Sequence, residues 1–254
     1  MELTTAWVKY VTRLSAIDKA ATTRLGEMVG QIPNFSFDNP EHMALLVSEA
    51  YAVSNVYGEA AATLAAEMYD AIGLASGMFL DPAELAELAS IAQVEWTVKG
   101  AAKTSNINEV TSAVGRLVKK AGVDTVVKNA KRDGAEVAWI PRGDTCAFCI
   151  ALASKGWTDA DNYQEHIHSN CDCTLGTRFN NSTSIKGYNP RTYEDMYYGV
   201  NLDGEKPTAK NRVNALRRQF YAQNKEAINE NKRINYAERK ERLNNSKAEE
   251  INVD

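Results

Sequence analysis

Along the first half of the chain, apolar residues recur at steps of three and four. Trp7, Val8, Val11, Leu14, Ile17, Ala21 and Leu25 form the stripe of an amphipathic helix. The turn formers at residues 33–40 interrupt it, and Pro40 suits the first turn of a second helix running to about Ile72. That helix carries Leu45, Leu46, Ala50, Val53, Val56 and Tyr57 on one side. Its alanine-rich run at 60–66 offers a face on which another helix can lie closely. Asp81-Pro82 is an N-cap followed by an N1 proline, with Glu84 in the first turn, and predicts that a third helix starts there. Helical spacing resumes over 106–120 (Val110, Val114, Leu117, Val118) and stops near Gly122. A shorter helix over 123–131 ends before Gly134.

The texture then changes. Residues 135–140 alternate as a strand does, and Pro141-Arg142-Gly143-Asp144 turns it. From there to about Gly199 the chain is rich in turn residues and aromatics. After Pro207 the helical pattern returns with a short apolar stripe of Val213, Leu216, Phe220 and Tyr221. Beyond Asn224 apolar residues thin out among Asn, Lys, Arg and Glu, so this stretch buries little by itself and reads as an extended helix or a disordered tail that orders on a partner.

Charge sharpens this division. Residues 1–98 hold 13 acids and 4 bases, a net of −9, and residues 99–205 hold 13 of each. Residues 206–247 hold 12 bases and 4 acids, a net of +8, and the last seven residues return −3. An acidic head and a basic tail suit different partners. The candidate binding residues of the tail are Arg212, Arg217, Arg218, Lys225, Lys232, Arg233, Arg239 and Lys240. No apolar run approaches the roughly 18 residues of a membrane span, so no membrane partner is expected. The start, Met1-Glu2-Leu3-Thr4-Thr5, lacks the basic and apolar regions of a secretory signal. Synthesis in a reducing cytosol follows, where four cysteines are better explained as ligands than as disulfides.

Those cysteines carry the strongest chemical signal. The chain reads Asp144-Thr145-Cys146-Ala147-Phe148-Cys149, then His166-Ile167-His168-Ser169-Asn170-Cys171-Asp172-Cys173. A Cys-x2-Cys turn puts two thiolates on one side of a knuckle, and His-x2-Cys-x-Cys supplies the second half of a tetrahedral site, for which zinc is the expected ion. Five candidates, Cys146, Cys149, His168, Cys171 and Cys173, compete for about four positions. Competing readings are two disulfides, buried thiols that pack as small hydrophobes, and a redox pair at Cys146 and Cys149. A catalytic zinc keeps an open position beside an acid or base, and the His-x-Glu and His-Glu-x2-His patterns are absent here. The sulfur-rich set points to a closed, structural ion.

This order of features resembles the phage Mu F-like minor head protein family, including its relatives in phages of Gram-positive bacteria. The resemblance rests on a strand with Trp139 leading into Asp144-Thr145-Cys146-x2-Cys149, a spacer with Gly156 and Trp157, then His168-x2-Cys171-x-Cys173. The motifs lie within residues 100–180. The family often has His-Pro-x-Cys-Arg-Cys at the last motif; Ser169 and Asp172 stand here in place of the proline and arginine. The resemblance implies a low-copy structural protein of a tailed-phage virion, present in the host cytoplasm during assembly. Its implied partners are the portal, the major capsid protein or inner capsid surface, and in some relatives packaged DNA.

Two alternatives come from other classes. Some relatives are labelled capsid maturation proteases, but a serine or cysteine nucleophile needs a histidine base. The only histidines are His42, in the first turn of the second helix, and His166 and His168 at the knuckle. An intracellular zinc-stabilised nucleic-acid-binding protein is the other alternative, and the overall pI of 5.6 argues against it. The expected fold is mainly α: a helical domain over 1–100, a small α+β zinc-knuckle domain over 101–200, and a basic helical or disordered tail over 201–254.

Overall fold

The computed structural model describes residues 3–142, 145–163, 165, 173–179, 184–185 and 187–251, without the side chains of residues 3, 4, 228, 231, 232 and 235–251. Among the described residues the chain is mainly helical with one small sheet. In order, the elements are α1 (Leu3–Gly30), α2 (Pro40–Ala75), α3 (Ile91–Ala102), α4 (Ile107–Asp133), β1 (Glu136–Ile140), α5 (Ala147–Ala153), β2 (Thr158–Asp159), a 3-10 turn (Ala160–Asn162), β3 (Thr174–Arg178), α6 (Pro190–Tyr198) and α7 (Ala209–Ile251). They fall into two compact units, Met1–Glu194 and Asp195–Asp254. Residue 100 lies within α3, and α4 beyond it packs on α1, α2 and α3.

Three long helices build the core of the first unit. α1 runs antiparallel to α2, with Arg24 beside Glu49 at 3.2 Å and Lys9 beside Glu67 at 4.0 Å. α1 buries Trp7, Tyr10, Leu14, Ala21 and Leu25 at helical steps. α2 buries Leu46, Ala50, Val53 and most of its alanine run. Val8, Leu45 and Val56, expected on these stripes, are 53%, 55% and 64% exposed. They lie just outside the arc the neighbouring helices cover, while Tyr10 lies within it.

α4 runs parallel to α2, from Ala121 against Gly58 to Asp133, which accepts the Tyr69 hydroxyl at 2.9 Å. The expected stop at Gly122 does not occur, and one helix spans both predicted segments. A Cβ on Gly122 would stand 3.2 Å from the Ala61 carbonyl oxygen and 3.3 Å from the Tyr10 hydroxyl. The glycine serves close helix approach rather than termination, and the alanine face of α2 is what it meets.

The helix expected from Asp81 is also absent. Helix α3 begins instead at Ile91, where Ser90 and Gln93 form a capping box. Because α2 and α4 are parallel, the chain must travel back between them, and residues 80–89 do so in extended form. Leu80 lies against Gly73 and Leu88 lies 3.5 Å from where a Gly58 Cβ would stand. Those two glycines are about 22 Å apart along α2 at 1.5 Å per residue. Eight residues of threefold extended chain cover about 25 Å, whereas eight helical residues cover about 12 Å. Only the extended form reaches both contacts. Leu80, Ala83, Ala86 and Ala89, at every third position, are partly buried.

β1 is the centre of a three-stranded antiparallel sheet ordered β2-β1-β3. Its register pairs Val137 with Thr158 on one side, and Glu136 with Arg178 through to Ile140 with Thr174 on the other. In the second unit, Tyr197, Val200, Val213, Ala215 and Leu216 are buried. No helix among the described residues is long and apolar enough to cross a membrane.

Candidate metal centre

The Cys-x2-Cys pair is built on the start of α5. Cys146 is its N-cap, in extended backbone conformation, and its Sγ accepts a hydrogen bond from the Cys149 backbone N–H at 3.4 Å. Cys149 follows one turn later and is buried. Their sulfurs are 3.3 Å apart. A disulfide needs about 2.05 Å, so the two are not bonded. Two sulfurs on one tetrahedral zinc, each about 2.3 Å from it, would be about 3.8 Å apart. The pair therefore fits one half of a zinc site with a shift of a few tenths of an ångström.

Of the other half, Cys173 alone lies among the described residues. Cys173 immediately precedes β3, and continuing the β1–β3 register by one step sets it opposite Pro141, five residues before Cys146. Cys173 is half-buried against the core. Burial, and then the nearby Cys173, push the Tyr193 hydroxyl above its ordinary range. His168 and Cys171 lie outside the described residues, as does His166. Among the described residues, no group of three or more His, Cys, Asp or Glu side chains is arranged to hold a metal.

Aromatic packing holds α5 in place. The Tyr188 hydroxyl donates to the Ala153 carbonyl at 3.0 Å, and the Tyr188 ring meets Trp157 edge-on at 5.8 Å. Arg178 lies over Trp157 at 5.0 Å and pairs with Glu136 at 2.7 Å. None of these contacts was legible in the sequence, because α5 spans only seven residues in a turn-rich stretch. Arg142 donates to the Val11 carbonyl and the Ser15 hydroxyl, each at 3.0 Å, which ties the turn after β1 to α1.

Three polar side chains of the first unit, those of His42, Glu165 and Ser154, have hydrogen-bond or ion-pair partners. The His42 Nδ1 accepts the Ser36 N–H at 3.1 Å, and its ring stacks on Phe35 at 5.6 Å, so this histidine fastens the α1–α2 loop. Glu165 pairs with Lys120 at 2.8 Å, and Lys120 also pairs with Asp124 at 3.1 Å. Burial works against the Lys120 charge, but the two carboxylates outweigh it and raise the ammonium above its ordinary range. The Ser154 hydroxyl donates to the Ala151 carbonyl at 2.9 Å.

The basic candidates divide. Arg212 donates to the Tyr198 carbonyl at 3.0 Å and lies over the Tyr198 ring at 5.0 Å, so it caps α6. Arg218 pairs with Glu205 at 3.2 Å and Arg233 with Glu230 at 3.4 Å. Arg217 and Lys225 are exposed. The side chains of Lys232, Arg239 and Lys240 lie outside the described residues. The helical backbone of α7 shows an order that composition hides: positions 218, 225, 232 and 239 are all basic and recur every seven residues. A seven-residue step turns a helix by only about 20°, so these positions follow one line about 31 Å long. Val213, Phe220, Ala227 and Ile234 keep the same period on another face.

The family model described as VG15 protein matches residues 1–200, which takes in the whole first unit and ends before α7. No curated protein and no solved structure matches the chain.

Proposed function

The chain belongs to the VG15 family, a viral (phage) protein family, and from that membership we propose that it is a structural minor head protein of a tailed phage, akin to the Mu F-like minor head proteins. The observation that carries the reading is the Cys146–Cys149 pair at the start of α5, with Cys173 at the start of β3. This is the motif order of that family, set behind a helical first half. In this reading a structural zinc is held by four of Cys146, Cys149, His168, Cys171 and Cys173, and it pins β1, α5 and β3 together without performing chemistry.

The protein resides in the virion, on the portal or the inner capsid surface. Its α7 helix docks on an acidic protein surface there. The apolar row on the face roughly opposite the basic line favours protein over DNA, since a phosphate-tracking helix has no use for an apolar face.

Truncation from Asn224 tests the proposal in particles assembled with the altered chain. Incorporation should fail while DNA binding by the purified protein is unchanged. Loss of salt-sensitive DNA binding instead would make packaged DNA the partner. Normal incorporation with unchanged DNA binding would refute the docking role of α7.

A further inference from the structure

Residues 81–89 read Asp-Pro-Ala-Glu-Leu-Ala-Glu-Leu-Ala, with a helix-starting dipeptide followed by strong helix formers. They nevertheless lie extended. Side chains of other elements hold their backbone. Asp70 on α2 accepts the Ala83 N–H at 2.9 Å. From α4, Thr125 accepts the Ala86 N–H at 3.1 Å and Lys128 donates to the Leu85 carbonyl at 3.1 Å. Asn129 takes both backbone groups of Glu84, at 2.9 and 2.8 Å. Arg132 takes the carbonyls of Asp81 and Pro82, at 2.9 and 3.1 Å. The four α4 residues are spaced at 125, 128, 129 and 132, one face of the helix. The strap is thus held against its own preference by seven side-chain bonds, a conflict between local and global structure that folded chains generally avoid.

We propose that residues 81–90 form a two-state element. In the closed form they are a strap across α2 and α4; in the open form they are helix, continuous with α3, over residues 81–102.

Two features fit the open form. Asp81 would become the cap, Pro82 the first helical residue and Glu84 the third, so every position that misleads in the closed form becomes correct. On the lengthened helix, Leu85, Leu88, Ala92 and Trp96 fall at steps of three, four and four on one line. That line is opposite Val94, by which α3 is buried, and Trp96 is already 80% exposed. Converting ten residues shortens the strap from about 31 Å to about 15 Å. Residues 75–81, turned back on themselves in the closed form, span up to about 20 Å when extended and take up the difference.

The test uses the full chain and reads residues 82–90 by backbone chemical shifts and amide exchange, with the shifts of α1 and β1 reporting that the fold persists. The wild type should give extended shifts. Asn129→Ala should move residues 82–90 to helical shifts. Adding Ala83→Gly and Ala86→Gly to Asn129→Ala should then lower the helix-to-strap equilibrium constant about tenfold to thirtyfold. Should Asn129→Ala fail to fold, Lys128→Ala/Arg132→Ala removes three of the seven bonds at exposed side chains and is read the same way. Random-coil shifts in the folded variant, or a strap unchanged from wild type, would overturn the two-state element.

Discussion

The Asn129 side-chain amide grips Glu84 by both backbone groups: Oδ1 accepts its N–H at 2.9 Å and Nδ2 donates to its carbonyl at 2.8 Å. The same Nδ2 donates to the Thr125 carbonyl at 2.7 Å, so a fully buried side chain joins α4 to a segment 45 residues earlier. Each of these three bonds contributes about 0.5–1.5 kcal/mol net. Asn129→Ala should therefore lower the unfolding free energy by about 2–3 kcal/mol, read as an earlier urea midpoint. An effect below about 0.5 kcal/mol would mean that water replaces these bonds.

The close approach of α4 to α2 gives a paired prediction. Gly122→Ala places a methyl group 3.2 Å from the Ala61 carbonyl and should cost about 1–3 kcal/mol. Gly100→Ala, in the exposed part of α3 with nothing within 4 Å of the new methyl, should stabilise by about 0.5–1 kcal/mol. Thermal unfolding of the two variants should move in opposite directions. A stabilised Gly122→Ala chain would show that the α2–α4 contact is looser than described.

Acid should loosen the strap. The Asp133 carboxylate accepts Arg132 at 2.8 Å and the Tyr69 hydroxyl at 2.9 Å, and these bonds, Arg132 first, hold its carboxyl below the usual range. A carboxyl with a depressed folded-state pKa contributes stability that is present above its unfolded value, about 3.9, and is lost as pH falls through the folded value. Protonation also frees Arg132, which holds the Asp81 and Pro82 carbonyls. Exchange protection of the Ala86 amide, whose acceptor is the Thr125 hydroxyl, should therefore fall below about pH 3.9 before the bundle unfolds. Asp133→Asn should remove that pH dependence; its persistence would place the titrating group elsewhere.

The proposed zinc makes its own demand. Protein purified without chelator should carry one zinc per chain, and Cys146→Ser or Cys149→Ser should weaken zinc binding more than about a hundredfold. Since metal binding here is folding free energy, these variants should lose exchange protection in β1, α5 and β3 while α1, α2 and α4 stay helical. Absence of zinc together with four thiols open to a thiol reagent would remove the ion from the account.

Sequence patterns were legible where structure is local. The stripes of α1 and α2, the strand β1 and the return of helix in α7 follow from spacing alone, and the thiol pair follows from Cys-x2-Cys. Illegible features depend on groups far along the chain. Asp81-Pro82 carries every local mark of a helix start, but its backbone is taken by Arg132, about fifty residues later. Gly122 reads as a stop until the Ala61 carbonyl beside it is known. Arg212 reads as a free cation, yet it closes the end of α6. Two of the five expected ligands, His168 and Cys171, lie outside the described residues.

The most direct test of the central claim is mass spectrometry of purified virions of the phage that encodes this chain. A structural minor head protein should be present in washed, full particles, uncleaved from α1 through α7, at a small fraction of the major capsid protein. Its absence from particles, with the chain abundant in the infected cell, would contradict the assignment.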